Sequence, residues 1–216
     1  MSNKLDAFFP GTVSDDTFLS QTLCRLATQG IDASTSVACI AACHDMVRQP
    51  LLQRIRETWP TTFDYTALAA VPTVGETGGE ILVHAARQSP DVSAERPQIV
   101  VFVLPHVAID ADCSGCFTLA RLLDELRVAD EWGLELGDLE LVRLRKRVWL
   151  QCDRRQRRCL TIEELAKLTL QIGCSAAWRI VDGARQEGAR VELVSGLIIE
   201  TRQGARVWAP QASAST

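Results

Sequence analysis

Six consecutive apolar residues, Ile99-Val100-Val101-Phe102-Val103-Leu104, constrain this chain more than any other feature. No position in the run offers a polar side chain to water, so it fits a central strand covered on both faces. Residues 36–42, with Val37 and Ile40, make a second short apolar segment of the same kind. Both segments stop at chemically loaded sequence. The earlier one runs into Cys43-His44-Asp45-Met46-Val47-Arg48, the later one into Pro105-His106. In an open sheet with helical crossovers, the carboxyl ends of strands collect ligand-binding residues along one edge. A thiolate and an imidazole brought together there are ligands that zinc takes.

The rest of the chain supplies the helices that such a sheet needs. Residues 15–29 carry Phe18, Leu19, Leu23 and Leu26 at helical spacing and stop at Gly30. Pro50 suits the first turn of a helix through about residue 59. Residues 71–79 hold Pro72, Gly75, Gly78 and Gly79, and read as a loop leading into a helix over 80–87. Such a loop lets backbone approach a ligand closely. Residues 88–97 read as a polar surface connector, 106–109 as the lead into a turn, and 117–132 as a helix. Thr161-Ile162-Glu163-Glu164 matches a capping box with Thr161 as the cap, opening a helix to about residue 183. Residues 190–199 and 205–209, joined through Gln203-Gly204, predict a closing hairpin. The expected architecture is α/β, a layered sheet flanked by helices with a C-terminal β-hairpin. It forms one domain over residues 1–210, the closing element over 185–210, and a disordered tail over 211–216.

Composition narrows the function classes. Hydrophobic residues make up 47% of 216 positions, enough for a sizeable core. The formal net charge of −4 speaks against a dedicated nucleic-acid binder. No segment approaches the ~20 apolar residues of a membrane span. The first residues, with Lys4 and Asp6, do not read as a signal peptide. Eight cysteines in a core-rich chain of this length suit a reducing cytoplasm better than a secreted disulfide scaffold. Cys113-Ser114-Gly115-Cys116 could be a redox pair at a helix start, but thioredoxin-like partner motifs are missing. Cys152 and Cys159 flank a turn-like basic segment and could clamp a metal, without a second pair to complete four ligands. The basic cluster of Arg143, Arg145, Lys146, Arg147, Arg154, Arg155, Arg157 and Arg158 is flanked by acids. No aromatic stacking set interleaves with it, so a solvated face is the expectation.

Several short motifs occur together in one order: Phe8-Phe9-Pro10-Gly11, Ala42-Cys43-His44-Asp45 continuing to Gln49-Pro50-Leu51, Gly75-Glu76-Thr77-Gly78, His84, and Pro105-His106-Val107-Ala108-Ile109. In these the chain resembles the limiting-CO2-inducible B/C proteins, the LCIB-like or theta-class carbonic anhydrases, over roughly residues 7–180. The resemblance implies a fold similar to the beta-class carbonic anhydrases and a zinc enzyme, commonly dimeric, that interconverts CO2 and bicarbonate. Carried over by position, Cys43 and His106 are zinc ligands and Asp45 is the carboxylate of an Asp–Arg pair.

The sequence departs from that pattern twice. Gln49 stands where the family has its arginine, and Arg48 precedes it by one residue. At the family's second zinc cysteine the ungapped count reaches Asp130. Aligning on Gly133 instead puts Trp132 there. Three readings of the third ligand stay open. Asp130 completes the site, Cys113 or Cys116 substitutes, or the metal is lost and the fold serves as a non-catalytic module for a small anion or a partner protein. A zinc enzyme acting on another small substrate is a further possibility. The leading expectation is a cytoplasmic, homodimeric Zn2+ enzyme of CO2 and bicarbonate, with no nucleic-acid or membrane partner. Cys43, His106 and Asp130 are its metal ligands, and Asp45 and Arg48 its catalytic pair.

Overall fold

The computed structural model describes residues 2–43, 49–65, 67–93, 95–109, 115–128 and 139–210. Helix α1 (Ser2–Phe8) and the short β1 (Val13–Ser14) lead into α2 (Asp15–Thr28). Strand β2 (Ser36–Ala42) is followed by α3 (Pro50–Thr58), β3 (Thr61–Tyr65) and a tight pair, β4 (Ala67–Leu68) and β5 (Val71–Pro72). Helix α4 (Glu76–Arg87) precedes β6 (Gln98–Leu104) and β7 (His106–Ala108). Four helices follow: α5 (Phe117–Val128), α6 (Leu139–Gln151), α7 (Arg154–Cys159) and α8 (Ile162–Gln186). The described chain closes with β8 (Arg190–Ser195), β9 (Leu197–Thr201) and β10 (Gly204–Trp208).

The central sheet has the order β3-β2-β6-β8, and every pairing in it is parallel. Its two inner strands are the two apolar runs. Residues Ile99 to Leu104 are fully buried, as a strand covered on both faces requires. Trp59, at the end of α3, closes one side of this layer. Its indole N–H donates to Ser36 Oγ at 3.0 Å, and its ring meets Phe102 edge-on at 5.3 Å between centroids. The helix signals in residues 15–29, at Pro50 and at Thr161 correspond to α2, α3 and α8. Thr161 and Glu164 bond reciprocally in the capping box of α8.

Three local expectations are corrected. Helix α4 starts at Glu76, so Gly78 and Gly79 are helical and not part of a loop. The small size of Gly79 serves helix packing: a Cβ there would lie 2.3 Å from the Ile180 carbonyl oxygen, and one on Gly183 2.4 Å from that of Glu76. Residues 106–108 form strand β7, which pairs in parallel with β9. The predicted closing hairpin is shorter than expected. Arg190–Ser195 joins β6 in the central sheet, and the chain then changes sheets at Gly196. Only β9 and β10 form the antiparallel hairpin, which extends into the sheet β1-β10-β9-β7. Among the described residues no helix is long and apolar enough to cross a membrane.

Candidate metal centre

Strands β2 and β6 run in register to their last residues, Ala42 facing Leu104. The next residues along each chain are therefore neighbours in space. Cys43 follows β2 directly, and His106 follows β6 after Pro105. A third group arrives from the helical layer. Cys116 occupies the N-cap position of α5, its carbonyl accepting from the Ala120 N–H at 3.1 Å. Candidate ligand atoms of Cys43, His106 and Cys116 all lie within 4.8 Å of one another, and the two sulfurs are 3.4 Å apart. The three residues are 5%, 3% and 3% exposed, so the cluster is enclosed by protein.

Electrostatics favour a thiolate at one of these positions. The Cys43 thiol, bonding to Cys116 sulfur, helps bring the Cys116 thiol down to about 6, against the opposing effect of burial. The imidazole of His106 and the Leu119 N–H in the first turn of α5 act in the same direction. Cys39, four residues before Cys43 within β2, shows the opposite behaviour. Burial pushes its thiol well up, and the hydrogen bond with Tyr65 does not offset that. Two buried cysteines thus differ because several partners oppose burial at Cys116 and a single one does at Cys39.

His106 has a partner on its other side. Its Nδ1 faces Glu200 Oε1 at 3.4 Å. Glu200 sits on β9, beside Ala108 of β7, so the terminal hairpin brings it there. A carboxylate at Nδ1 holds the ring in the tautomer whose Nε2 lone pair is available to a metal. Sequence reasoning did not single out Glu200, which is 94 residues from His106.

The donor set fits zinc. Two thiolates and one imidazole are borderline-soft ligands, and three protein ligands leave one position for water. With Zn–S near 2.3 Å, tetrahedral geometry separates two sulfurs by roughly 3.8 Å. The 3.4 Å separation between Cys43 and Cys116 lies within a few tenths of an ångström of that value.

Of the residues the sequence singled out, Cys43 and His106 come together here, and Cys116 joins them. Asp45, Arg48, Asp130 and Cys113 lie outside the described residues. Gln49 is buried and caps α3, its Oε1 accepting from the N–H groups of Leu51 and Leu52 at 2.6 and 3.2 Å. His84 is exposed on α4 and contacts Gln88. The segment between Cys152 and Cys159 is the helix α7 and not a turn. Both cysteines are free, and among the described residues neither lies in a group of potential metal ligands.

The chain is similar to one described family and to solved structures. The profile of the limiting CO2-inducible proteins B/C beta carbonic anhydrases matches residues 12–115, a span that takes in Cys43 and His106 and ends one residue before Cys116. The crystal structure of limiting CO2-inducible protein LCIB superposes with a TM-score of 0.74 at 21% identity, covering 96% of this chain and 91% of that one. That of PtLCIB4, a homolog of LCIB, gives 0.74 at 17% identity, covering 97% and 93%. No curated protein sequence matches the chain significantly.

Proposed function

The chain belongs to the LCIB-like carbonic anhydrase family, and from that premise we propose that it catalyses the zinc-dependent, reversible hydration of CO2 to bicarbonate. The observation that carries the proposal is the convergence of Cys43, His106 and Cys116 within 4.8 Å at the carboxyl edge of the central sheet. These three residues would hold the ion, with Cys116 in the place for which the sequence offered Asp130. When bound, zinc supplies Lewis acidity that brings the pKa of a coordinated water down towards ~7.

The protein's own groups do the rest. Glu200 fixes the orientation of the His106 ring through Nδ1. This reading gives Asp45, two residues beyond Cys43, the role of accepting a hydrogen bond from the nucleophilic water, and gives Arg48 that of its cationic partner. Leu104, Val107 and Leu119, each within three residues of a candidate ligand, are buried and apolar. Such surroundings suit CO2, which has no net dipole to anchor. By the same reading the enzyme is a cytoplasmic homodimer, a state that sizing by light scattering checks directly.

The test is the rate of CO2 hydration, followed by the proton released into an indicator. The zinc-replete protein is expected to accelerate hydration, and His106→Ala to remove the acceleration. A protein that binds zinc stoichiometrically yet does not accelerate hydration would count for an enzyme of another small substrate. One that binds no zinc would count for the non-catalytic relative.

A further inference from the structure

Among the described residues the basic cluster of the sequence divides into arginines with partners and arginines without. Arg145 lies 3.5 Å from a Glu125 carboxylate oxygen. Arg157 is buried with its guanidinium 3.6 Å over the Trp149 ring, and it donates to the Cys152 carbonyl. Arg143 and Arg147 stand one turn apart on the same face of α6. Arg179 reaches the same region from α8. Among the described residues, none of these three has an ion pair or a hydrogen bond.

Their surroundings are concave. A hollow of about 230 Å³ is bounded by Arg143 and Arg147 with Leu68, Val71 and Pro72. A neighbouring one of about 430 Å³ is bounded by Arg147 and Arg179 with Leu150, Ile172 and Ala176. Arg147 belongs to both and is partly buried between them. Burial, and then the charges of Arg179 and Arg143, weaken its hold on its proton. Like charges gathered without a counter-charge raise the free energy of the folded state, and an arginine fork is the side chain best shaped to grip phosphate.

We propose that Arg143, Arg147 and Arg179 form a binding site for a small phosphorylated organic molecule, its phosphate at Arg147 and its organic part against the apolar walls. A dianionic phosphate offsets most of three positive charges and offers several acceptors to their N–H groups. The apolar residues beside the arginines on both sides account for an organic portion. None of the residues bounding the two hollows is Cys43, His106 or Cys116, and the proposal does not depend on the hydration reading.

Calorimetry on the zinc-replete full chain at low salt tests the proposal, with phenyl phosphate and inorganic phosphate as probes. Both are expected to bind, phenyl phosphate at least about threefold more tightly because of the apolar walls. Arg147→Gln should weaken both by about tenfold or more, and Arg143→Gln or Arg179→Gln by a smaller factor. Arg25→Gln, which removes an exposed charge on α2, should leave binding within about twofold, as befits a remote surface charge. In phosphate-free buffer Arg147→Gln should melt no lower than the parent, since it removes repulsion. No binding at millimolar probe, an equal loss in Arg25→Gln, or a lowered melting temperature in Arg147→Gln would each overturn the assignment. Equal affinity for the two probes would overturn its organic part.

Discussion

The candidate metal centre and the α6–α8 arginine hollow gather charged or ionisable groups in opposite ways. At the carboxyl edge of the central sheet, three groups come from distant points in the chain, are almost wholly buried, and converge within 4.8 Å. Their donors face one another, and the second sheet backs one of them with Glu200. On the helical side, three cations without partners among the described residues surround hollows of about 230 and 430 Å³. A space only a few ångströms across, lined by sulfur and nitrogen donors, suits a small cation. Wide concave space lined by guanidinium and aliphatic groups suits a larger anion. The comparison teaches that geometry and sign of charge together decide what a polar cluster can hold.

The largest expected effect breaks the first region alone. A structural four-ligand zinc site is worth about 10–16 kcal/mol, so losing one ligand should cost roughly 3–4 kcal/mol, a few hundredfold in affinity or more. Competition with a chromophoric chelator should show this for both His106→Ala and Cys116→Ala. Phenyl phosphate binding by the same variants should be unchanged.

Helix α8 lines the hollow, and its close approach to α4 depends on glycine. Gly79→Ala places a methyl 2.3 Å from a backbone oxygen, and overpacking of this kind costs about 1–3 kcal/mol. Denaturant unfolding should register the loss. If the two regions are independent, zinc affinity in this variant stays within a factor of about two, since the strands rather than α8 deliver Cys43 and His106.

Removing an outer partner of a ligating histidine has a smaller effect on the metal. Glu200→Gln should weaken zinc binding by about 10–100-fold with the fold intact, because the amide orients the ring less firmly and carries no charge. An unaltered affinity would mean that the 3.4 Å approach to His106 is incidental. The smallest effect belongs to Tyr65→Phe. It removes the donation to the Gly78 carbonyl at 2.8 Å and should cost about 1 kcal/mol of stability, leaving both binding regions as they were.

How much of this was legible depended on whether the signal was local. The two inner strands announced themselves by unbroken apolar runs, and their ends located Cys43 and His106 before any pairing was known. The helix starts at Asp15, Pro50 and Thr161 carry their own capping chemistry within a turn. Gly78 and Gly79 misled because glycine is also the residue of loops. The role of Gly79 appears only once α8 lies against it. The split at Gly196 was equally silent, since nothing in residues 190–199 says that the first half pairs in parallel with β6 and the second half antiparallel with β10. Cys116 was one of several cysteines within reach. Its choice required the start of α5 to be placed against the strand ends. Glu200 gave no signal because its partner is supplied by a different sheet.

X-ray absorption at the zinc edge of the purified, zinc-replete protein tests the central claim most directly. The account predicts about one zinc per chain, with two sulfurs near 2.3 Å and one histidine nitrogen near 2.0–2.1 Å. A shell of nitrogen and oxygen alone, or a protein that retains no zinc, would contradict it.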